Sequence, residues 1–229
     1  MTPSPAPGDI APGSFLALLD QQERGALDGL GVVRAFPRRT VLMFEHEPGE
    51  RVMILLAGRV KTSRLDQDGR ELILSIRDAG DVLGELAFID GHPRLATVTA
   101  LEPVTALVIP SPAFRAHLER TPRVAVALLE VVTRRFRDTT LKREQFTASD
   151  TIGRLAARIV ELADRYGTPT DGGIVIILPL SHEELGGWTG ASRAGVAHAF
   201  QTLRRLGWID TERRRVVVRD LEALRARAA

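Results

Sequence analysis

The sequence predicts an α+β protein in which a β sandwich or barrel comes first, a long helix follows, and a compact unit of helices with a small hairpin ends the chain. Two observations predict this order. Between Val32 and Pro110, six short β-rich runs are separated by turn signals, which is typical of a sandwich or barrel. Beyond Pro112 the apolar spacing becomes helical, and two helix start signals lie close together within 181–206.

Local signals divide the first part of the chain. Residues 1–13 are rich in proline and predict a disordered leader, and residues 14–120 hold a helix over 14–30 followed by the β-rich runs. Asp68-Gly69 lies between two runs and predicts a hairpin, because glycine adopts a positive φ at little cost. Ser111 followed by proline predicts the start of the helical region, with Ser111 as the N-cap.

A long helix is predicted over 121–147. One stripe of this helix has the alternating spacing of a coiled-coil seam and consists of Leu128, Val132, Phe136, Thr139, Arg143 and Phe146. The stripe favours pairing of two copies of the helix, and packing on the helix's own domain is the alternative. Residues 148–150 then predict a short hinge before a domain at 151–229.

Residues 181–209 predict two short helices joined by a tight turn. Ser181 and Glu184 have the spacing of a capping box, Gly190 suits a turn with positive φ, and Ser192 can cap the second helix. The predicted buried face of that helix is Val196, Ala199, Phe200, Leu203 and Leu206, and the exposed face is Arg193, Ala197, His198, Gln201 and Arg204. This pattern suits a helix-turn-helix in a DNA major groove, whereas a helical hairpin with solvated arginines is the alternative. A hairpin over 208–218 and a last helix capped by Asp220 complete a winged helix.

The composition is that of an ordinary globular protein and excludes several kinds of site. Hydrophobic residues make up 44% of the 229 residues, and no apolar run is long enough to span a membrane, so we expect a cytoplasmic protein with no membrane partner. The lack of cysteine excludes disulfides, thiolate-ligated clusters and cysteine nucleophiles. The five histidines have no metal-ligand spacing, so no metal site is predicted. From Thr151 onward the sequence contains twelve arginines and nine acidic residues, and this small excess of positive charge weakly supports nucleic-acid binding.

Residues 83–97 contain a second informative pattern. Gly84 and Glu85 precede a short helical turn, and Pro93-Arg94 then leads back into a strand. Backbone N–H groups of the turn and the Arg94 guanidinium are suited to a phosphate, and Glu85 can accept a hydrogen bond from a ribose hydroxyl. The segment therefore predicts a nucleotide site.

The Gly-Glu-Leu-Ala and Pro-Arg segment, the long helix and the winged helix, in this order, resemble the cyclic-AMP receptor protein and fumarate–nitrate regulator (Crp/Fnr) family of bacterial transcription factors. The resemblance covers nearly everything after the leader. It implies a β jelly-roll sensor domain, a dimerisation helix and a winged helix that binds palindromic double-stranded DNA as a homodimer. RNA polymerase is a further expected partner.

The resemblance also implies a cyclic nucleotide as effector, with cyclic AMP first among the candidates, and no other cofactor. Glu85 matches the glutamate that binds the ribose, and Arg94 matches the arginine that holds the cyclic phosphate. The full set of implied ligand-binding residues is Gly84, Glu85, Leu86, Arg94, Leu95, Thr139 and Thr140, the two threonines matching hydroxyl residues that reach the adenine. Two positions depart from the family pattern, since Leu95 replaces a small or hydroxyl residue and His46 replaces a glycine common in the turn.

In the second helix of the helix-turn-helix, Arg193 matches the arginine that donates two hydrogen bonds to guanine. Ala194 and His198 stand where many members carry a glutamate and an arginine, so we expect guanine recognition to persist while the rest of the half-site differs. The implied DNA-binding residues are Ser181, His182, Ser192, Arg193, Ala194, Ala197, His198, Gln201 and Arg213.

Two other classes of function compete with this interpretation. A constitutive DNA-binding regulator could carry the same fold with a vestigial or differently liganded sensor domain. An enzyme would need a nucleophile, a metal cluster or a second carboxylate near Glu85 and His92, and the sequence brings none of these together, so no catalysis is predicted.

Overall fold

The computed structural model of the chain describes residues 10–177, 180–212 and 215–228, with the side chains of 142–148 left out. The strands are β1 Val32–Phe36, β2 Val41–Met43, β3 Arg51–Ala57, β4 Val60–Leu65, β5 Glu71–Arg77, β6 Val82–Leu83, β7 Thr97–Ala100, β8 Val104–Pro110, β9 Thr168–Thr170, β10 Gly173–Ile177, β11 Ile209–Glu212 and β12 Arg215–Val218. The helices are α1 Gln21–Asp28, α2 Glu85–Asp90, α3 Ser111–Arg120, α4 Pro122–Ala148, α5 Thr151–Tyr166, α6 His182–Thr189, α7 Arg193–Arg205 and α8 Leu221–Ala228.

The chain divides into two units. The first consists of Met1–Arg64 and Ile73–Phe136, and the second of Leu65–Leu72 and Arg137–Ala229. The predicted leader falls outside the described residues over 1–9. Within the first unit, the Ala11 N–H donates to the Ala79 carbonyl at 3.0 Å, so the described end of the leader is attached to the sheet region.

The first unit is a sandwich of two four-stranded sheets, ordered β1-β8-β3-β6 and β2-β7-β4-β5. Alternate side chains of β3 enter two different cores, because successive side chains of a strand point to opposite faces. Met53 and Leu55 join the core between the sheets, whereas Val52 and Ile54 pack against the helices on the outer face. The predicted jelly-roll and α+β fold class are confirmed.

Two local predictions for the part of the chain before α4 need correction, and one is confirmed. The predicted helix over 14–30 is two pieces, a short 3-10 turn at Leu16–Leu18 and α1, because Asp20 forms its own capping box with Glu23. Ser111 is not an N-cap but the first residue of α3, and its hydroxyl donates to the Gly49 carbonyl at 2.5 Å. Between β4 and β5 the hairpin at Asp68-Gly69 is present, with Gly69 at φ 74°.

The stripe predicted on α4 does not lie on one exposed face, since Leu128 is buried and Phe136 is exposed. Leu128 is buried in the core against the sheet, and the exposed apolar side chains of this part of α4 are Val126, Leu129 and Phe136. Both sets have helical spacing, so the sequence pattern alone could not decide which one faces the sheet. Arg143 and Phe146, the last two positions of the predicted stripe, have side chains outside the described part.

In the second unit, α5 packs against α6, α7 and α8 beside a sheet ordered β11-β12-β10-β9. The wing is the antiparallel pair β11 and β12, and Asp220 caps α8 by accepting the Ala223 N–H at 2.9 Å. Strand β9 pairs with β10 and forms one edge of this sheet. Among the described residues, none of the helices has the length and apolar character needed to cross a bilayer.

Candidate functional site

The residues predicted to bind a phosphate lie around the start of α2, and Gly84, Glu85 and Arg94 are called the cradle below. Gly84 precedes this helix with φ 78°, a left-handed conformation that favours glycine. A Cβ atom on Gly84 would collide with Nη1 of Arg94, so the absence of a side chain lets the guanidinium lie directly against the backbone. The sequence prediction that Gly84 and Arg94 come together is therefore met by their close contact.

The guanidinium of Arg94 is buried and has no ionic partner in the part of the chain that the structure describes. Only 3% of the residue is exposed. Its Nη1 donates to the Gly84 carbonyl at 3.1 Å and its Nη2 to the Arg51 carbonyl at 2.5 Å, while its buried Nε has no hydrogen-bond partner. Among the described residues, no carboxylate lies within 4.0 Å of it. Burial lowers the pKa of Arg94 from its ordinary value, and the nearby charge of Arg51 lowers it further.

A strained turn fixes the backbone of Arg94. The His46 N–H donates to the Arg94 carbonyl at 2.9 Å, and the Arg94 N–H donates to the Glu47 carbonyl at 2.8 Å. His46 has φ 68°, so the residue that replaces a family glycine occupies the conformation that a glycine would adopt easily. The turn keeps its shape at the expense of local strain.

Glu85 is held by a residue that the sequence analysis missed. Nη1 of Arg135, on α4, donates to Oε1 of Glu85 at 2.7 Å, and Nη2 donates to Oδ1 of Asp81 at 2.8 Å. Burial would by itself lower the pKa of Arg135, but the charges of Glu85 and Asp81 outweigh burial and raise it above the ordinary value. Arg135 lies four residues before Thr139, and this spacing along one helix face was the available signal.

The other predicted ligand residues are exposed. Leu86 follows Glu85 on α2, and Leu95 follows Arg94 with about half of its surface accessible. Thr139 and Thr140 are exposed on α4 and belong to the second unit. The structure thus brings Gly84, Glu85 and Arg94 together within the first unit.

The helix-turn-helix begins and turns as the sequence predicts. Ser181 accepts the Glu184 N–H at 3.2 Å, and the Glu184 carboxylate accepts the Ser181 N–H at 2.8 Å. Gly190 ends α6 with φ 61°, and Ser192 caps α7 by accepting the Gly195 N–H at 3.1 Å. These caps satisfy backbone donors at both helix starts, which fixes where each helix begins.

Helix α7 has one buried and one exposed face. Val196, Ala199, Phe200 and Leu203 are buried, whereas Leu206 ends the helix half-exposed and does not belong to the core. The exposed residues are Arg193, Ala194, Ala197, His198, Gln201 and Arg204. Among the described residues, Arg193 has no hydrogen bond or ion pair, which leaves its guanidinium available to an outside acceptor.

Two residues, His182 and Arg154, make contacts that stabilise the helix-turn-helix. His182 was predicted to bind DNA, and Arg154 was not predicted to have a role. The His182 ring, expected at a DNA phosphate, stacks on Phe200 with 5.0 Å between ring centroids. Arg154 of α5 donates to the carbonyls of Thr189 at 2.7 Å and Ser149 at 2.6 Å, which ties the end of α6 to the start of α5. Arg213 lies outside the described residues.

Comparison with known domains supports both halves of the chain. A model described as a cyclic nucleotide-binding domain matches residues 33–121, and a model described as a Crp-like helix-turn-helix domain matches residues 153–227.

Comparison with known proteins extends this similarity over most of the chain. The CRP-like cAMP-activated global transcriptional regulator of Mycobacterium tuberculosis is 35% identical over 193 residues, which is 84% of this chain and 86% of that protein. The global nitrogen regulator of a Nostoc species is 29% identical over 82% of this chain and 85% of its own length. A CRP-family regulator from Thermus thermophilus has a similar structure, with TM-score 0.72, 28% identity and coverage of 85% of this chain and 96% of that one. The global regulator CLP of Xanthomonas campestris, 21% identical with TM-score 0.79, covers 87% of this chain and 99% of its own and shares the fold.

Proposed function

This chain belongs to the Crp-like family of transcription regulators, and we propose that it is a homodimer whose binding to DNA responds to a cyclic nucleotide. Membership makes it a transcription regulator and not an enzyme. The effector, the operator and the roles of individual residues are the proposed part.

The buried guanidinium of Arg94 carries the proposal. A cation removed from water is costly unless an anion or several hydrogen bonds compensate it. Within the described residues, the Arg94 guanidinium has two carbonyl acceptors and an unbonded Nε. A phosphate at this position would supply the missing negative charge and further acceptors. Glu85 keeps one oxygen, Oε2, that no described residue uses, and this oxygen would accept a hydrogen bond from a ribose hydroxyl.

Cyclic AMP is the effector that we propose first. The most similar relative named above is called cAMP-activated, and it is 35% identical to this chain, whereas the nitrogen regulator is 29% identical. The family resemblance is the support for assigning the adenine to Thr139 and Thr140, whereas Leu86 and Leu95 are proposed as apolar contacts because they follow Glu85 and Arg94 and are exposed.

The exposed face of α7 is proposed to bind the major groove. Arg193 would donate two hydrogen bonds to a guanine, with Ala194, Ala197, His198 and Gln201 beside it. Ser181 and Ser192, at the starts of the two helices, would contact phosphates, which position the protein without specifying sequence.

The homodimer would form along α4. Val126, Leu129 and Phe136 are exposed apolar side chains at spacings of three and seven, so they follow one stripe of the helix. A second copy of the same helix would bury this stripe, and a two-fold dimer implies a palindromic operator.

The test of the function is titration of the purified chain with cyclic AMP, cyclic GMP and cyclic dinucleotides by calorimetry, followed by gel shift on selected DNA with and without the ligand. We expect cyclic AMP to bind and to change DNA affinity. R94Q should abolish binding, and R123Q, which removes an exposed guanidinium paired with Glu23, should not.

The contrary result is equally clear. DNA binding that is the same with every nucleotide, together with no heat of nucleotide binding, would identify a constitutive regulator with a vestigial sensor domain.

A further inference from the structure

The segment before β3 brings two charged residues to the backbone of Arg94. The Arg94 N–H donates to the Glu47 carbonyl at 2.8 Å, and Nη2 of Arg94 donates to the Arg51 carbonyl at 2.5 Å. The side chains of these two partners pair with each other, since Nη2 of Arg51 lies 3.5 Å from Oε2 of Glu47. Arg94 is thus bonded through main-chain carbonyls to both members of an ion pair.

The Arg51–Glu47 ion pair is partly exposed, and its side chains make long hydrogen bonds to their surroundings. Nη2 of Arg51 donates to the Leu42 carbonyl at 3.3 Å, and Oε2 of Glu47 accepts the Phe44 N–H at 3.2 Å, both long for hydrogen bonds. The two side chains are 38% and 36% exposed. Their charges act on Arg94 in opposite directions, since Arg51 lowers the pKa of Arg94 and Glu47 raises it.

The balance of these charges sets what the cradle can hold. Arg94 carries one positive charge, Arg51 adds a second one close enough to act on Arg94, and Glu47 offsets the charge of Arg51. The other charges described near the cradle are those of Arg135, Glu85 and Asp81, which pair with one another and are the same in the wild type and in every variant of Glu47 or Arg51. A cyclic phosphodiester carries one negative charge, whereas a phosphomonoester carries close to two at neutral pH.

We infer that Glu47 is a specificity-determining residue, which neutralises Arg51 so that the cradle favours a singly charged cyclic phosphodiester over a doubly charged phosphomonoester. The inference rests on the proposed function, because it places a nucleotide phosphate at Arg94. Glu47 acts through charge and needs no contact with the ligand.

The experiment measures the affinities of cyclic AMP and 5′-AMP for the full chain by calorimetry. The wild type should prefer cyclic AMP. E47Q should improve binding of 5′-AMP about three- to tenfold more than binding of cyclic AMP, and R51Q should shift the ratio of the two affinities in the opposite direction by a similar factor. Both variants keep the main-chain carbonyls that hold Arg94, and both shifts should shrink at high salt.

Two controls separate charge from structure. E47D keeps the negative charge and should keep the wild-type ratio. E102Q removes the carboxylate of another ion pair in the same unit, with Arg59 at 2.8 Å, and should change neither affinity more than about twofold. A variant that only loosens the fold would weaken both ligands together, which thermal melting would detect.

An unchanged ratio in E47Q and R51Q, or a shift in the same direction in both, overturns the inference. Absence of cyclic AMP binding to the wild type overturns the proposed function and the inference with it. A wild type that binds cyclic AMP while the variants keep its ratio overturns only the inference.

Discussion

Arg135 of α4 binds Glu85 of the cradle across 2.7 Å, and the same guanidinium binds Asp81 across 2.8 Å. Both ion pairs are largely removed from water. The carboxylate proposed to receive the ribose is therefore attached to the helix that carries Val126, Leu129 and Phe136. In the proposed mechanism, a ribose bound at Oε2 of Glu85 acts on α4 through the guanidinium of Arg135, which is bound at Oε1.

Removing Arg135 should destabilise the first unit. R135M leaves the buried carboxylates of Glu85 and Asp81 without their cation, and we expect the free energy of unfolding to fall by about 3 kcal/mol in urea denaturation. The double variant E85Q/R135M should recover part of this loss. Equal stability of the wild type and R135M would show that water already compensates these charges.

The two glycines that flank α2 provide a matched pair. Gly84 and Gly91 both have positive φ, at 78° and 72°, but only a Cβ at Gly84 would meet Arg94, and a Cβ at Gly91 would meet nothing within 4 Å. Both alanine variants should lose stability through strain. G84A should lose about 1 kcal/mol more than G91A and should weaken nucleotide binding at least about tenfold, as measured by melting and calorimetry. Similar nucleotide affinities of the two variants would contradict the assigned role of Gly84.

Relieving the strain at His46 should stabilise the protein. H46G replaces a side chain at φ 68° by the residue that tolerates this conformation, with an expected gain of about 0.5–1 kcal/mol and a rise in Tm of about 1–4 °C. H92G changes another exposed histidine that is not at positive φ, and it should give no such rise. A fall in the Tm of H46G would mean that contacts of the imidazole outweigh the strain.

The DNA-binding role of Arg193 predicts a selective loss. R193A should weaken binding to the specific operator by about 1–3 kcal/mol while leaving non-specific binding nearly unchanged, because only the base contact is lost. R205A, at the other end of α7, is the control for general charge. Fluorescence anisotropy on specific and scrambled duplexes measures both affinities. The same loss on both duplexes would assign Arg193 to phosphate contact.

The lowered pKa of Asp150 predicts that the stability of the protein depends on pH. Hydrogen bonding to the Gly153 N–H, and then the charge of Arg227, lower the pKa of Asp150 below its ordinary value of 3.8. A lowered pKa of an acid means that its stabilisation is complete above pH 3.8 and is lost as the pH falls through the lower, folded-state value. D150N, which keeps an oxygen for the cap, should be less stable than the wild type near neutral pH and equally stable in strong acid. The effect should be small, because 59% of the Asp150 side chain is exposed. A difference independent of pH in thermal melts would assign the effect to packing.

The sequence by itself determined the features that depend on neighbours a few residues apart. These features are the helix caps at Ser181, Ser192 and Asp220 and the exposed face of α7. They follow from spacings of three and four residues, which can be read directly from the sequence. The juxtaposition of Gly84 and Arg94 was predicted from the order of the Gly-Glu pair, the short helical turn and the Pro-Arg pair within residues 83–97, and the family resemblance then matched both positions.

Only the tertiary structure decided contacts between distant segments. Apolar residues with helical spacing lie on more than one side of α4, and packing on the sheet buried Leu128 and left Val126 exposed. Arg135 became the partner of Glu85 because folding brings together residues fifty positions apart, and Ser111 bonds to Gly49 across a similar separation instead of capping its own helix. Spacing along the chain predicts which residues lie on the same face of a helix. Which face is buried depends on the free energy of packing against the rest of the core, and that is known only once the core is assembled.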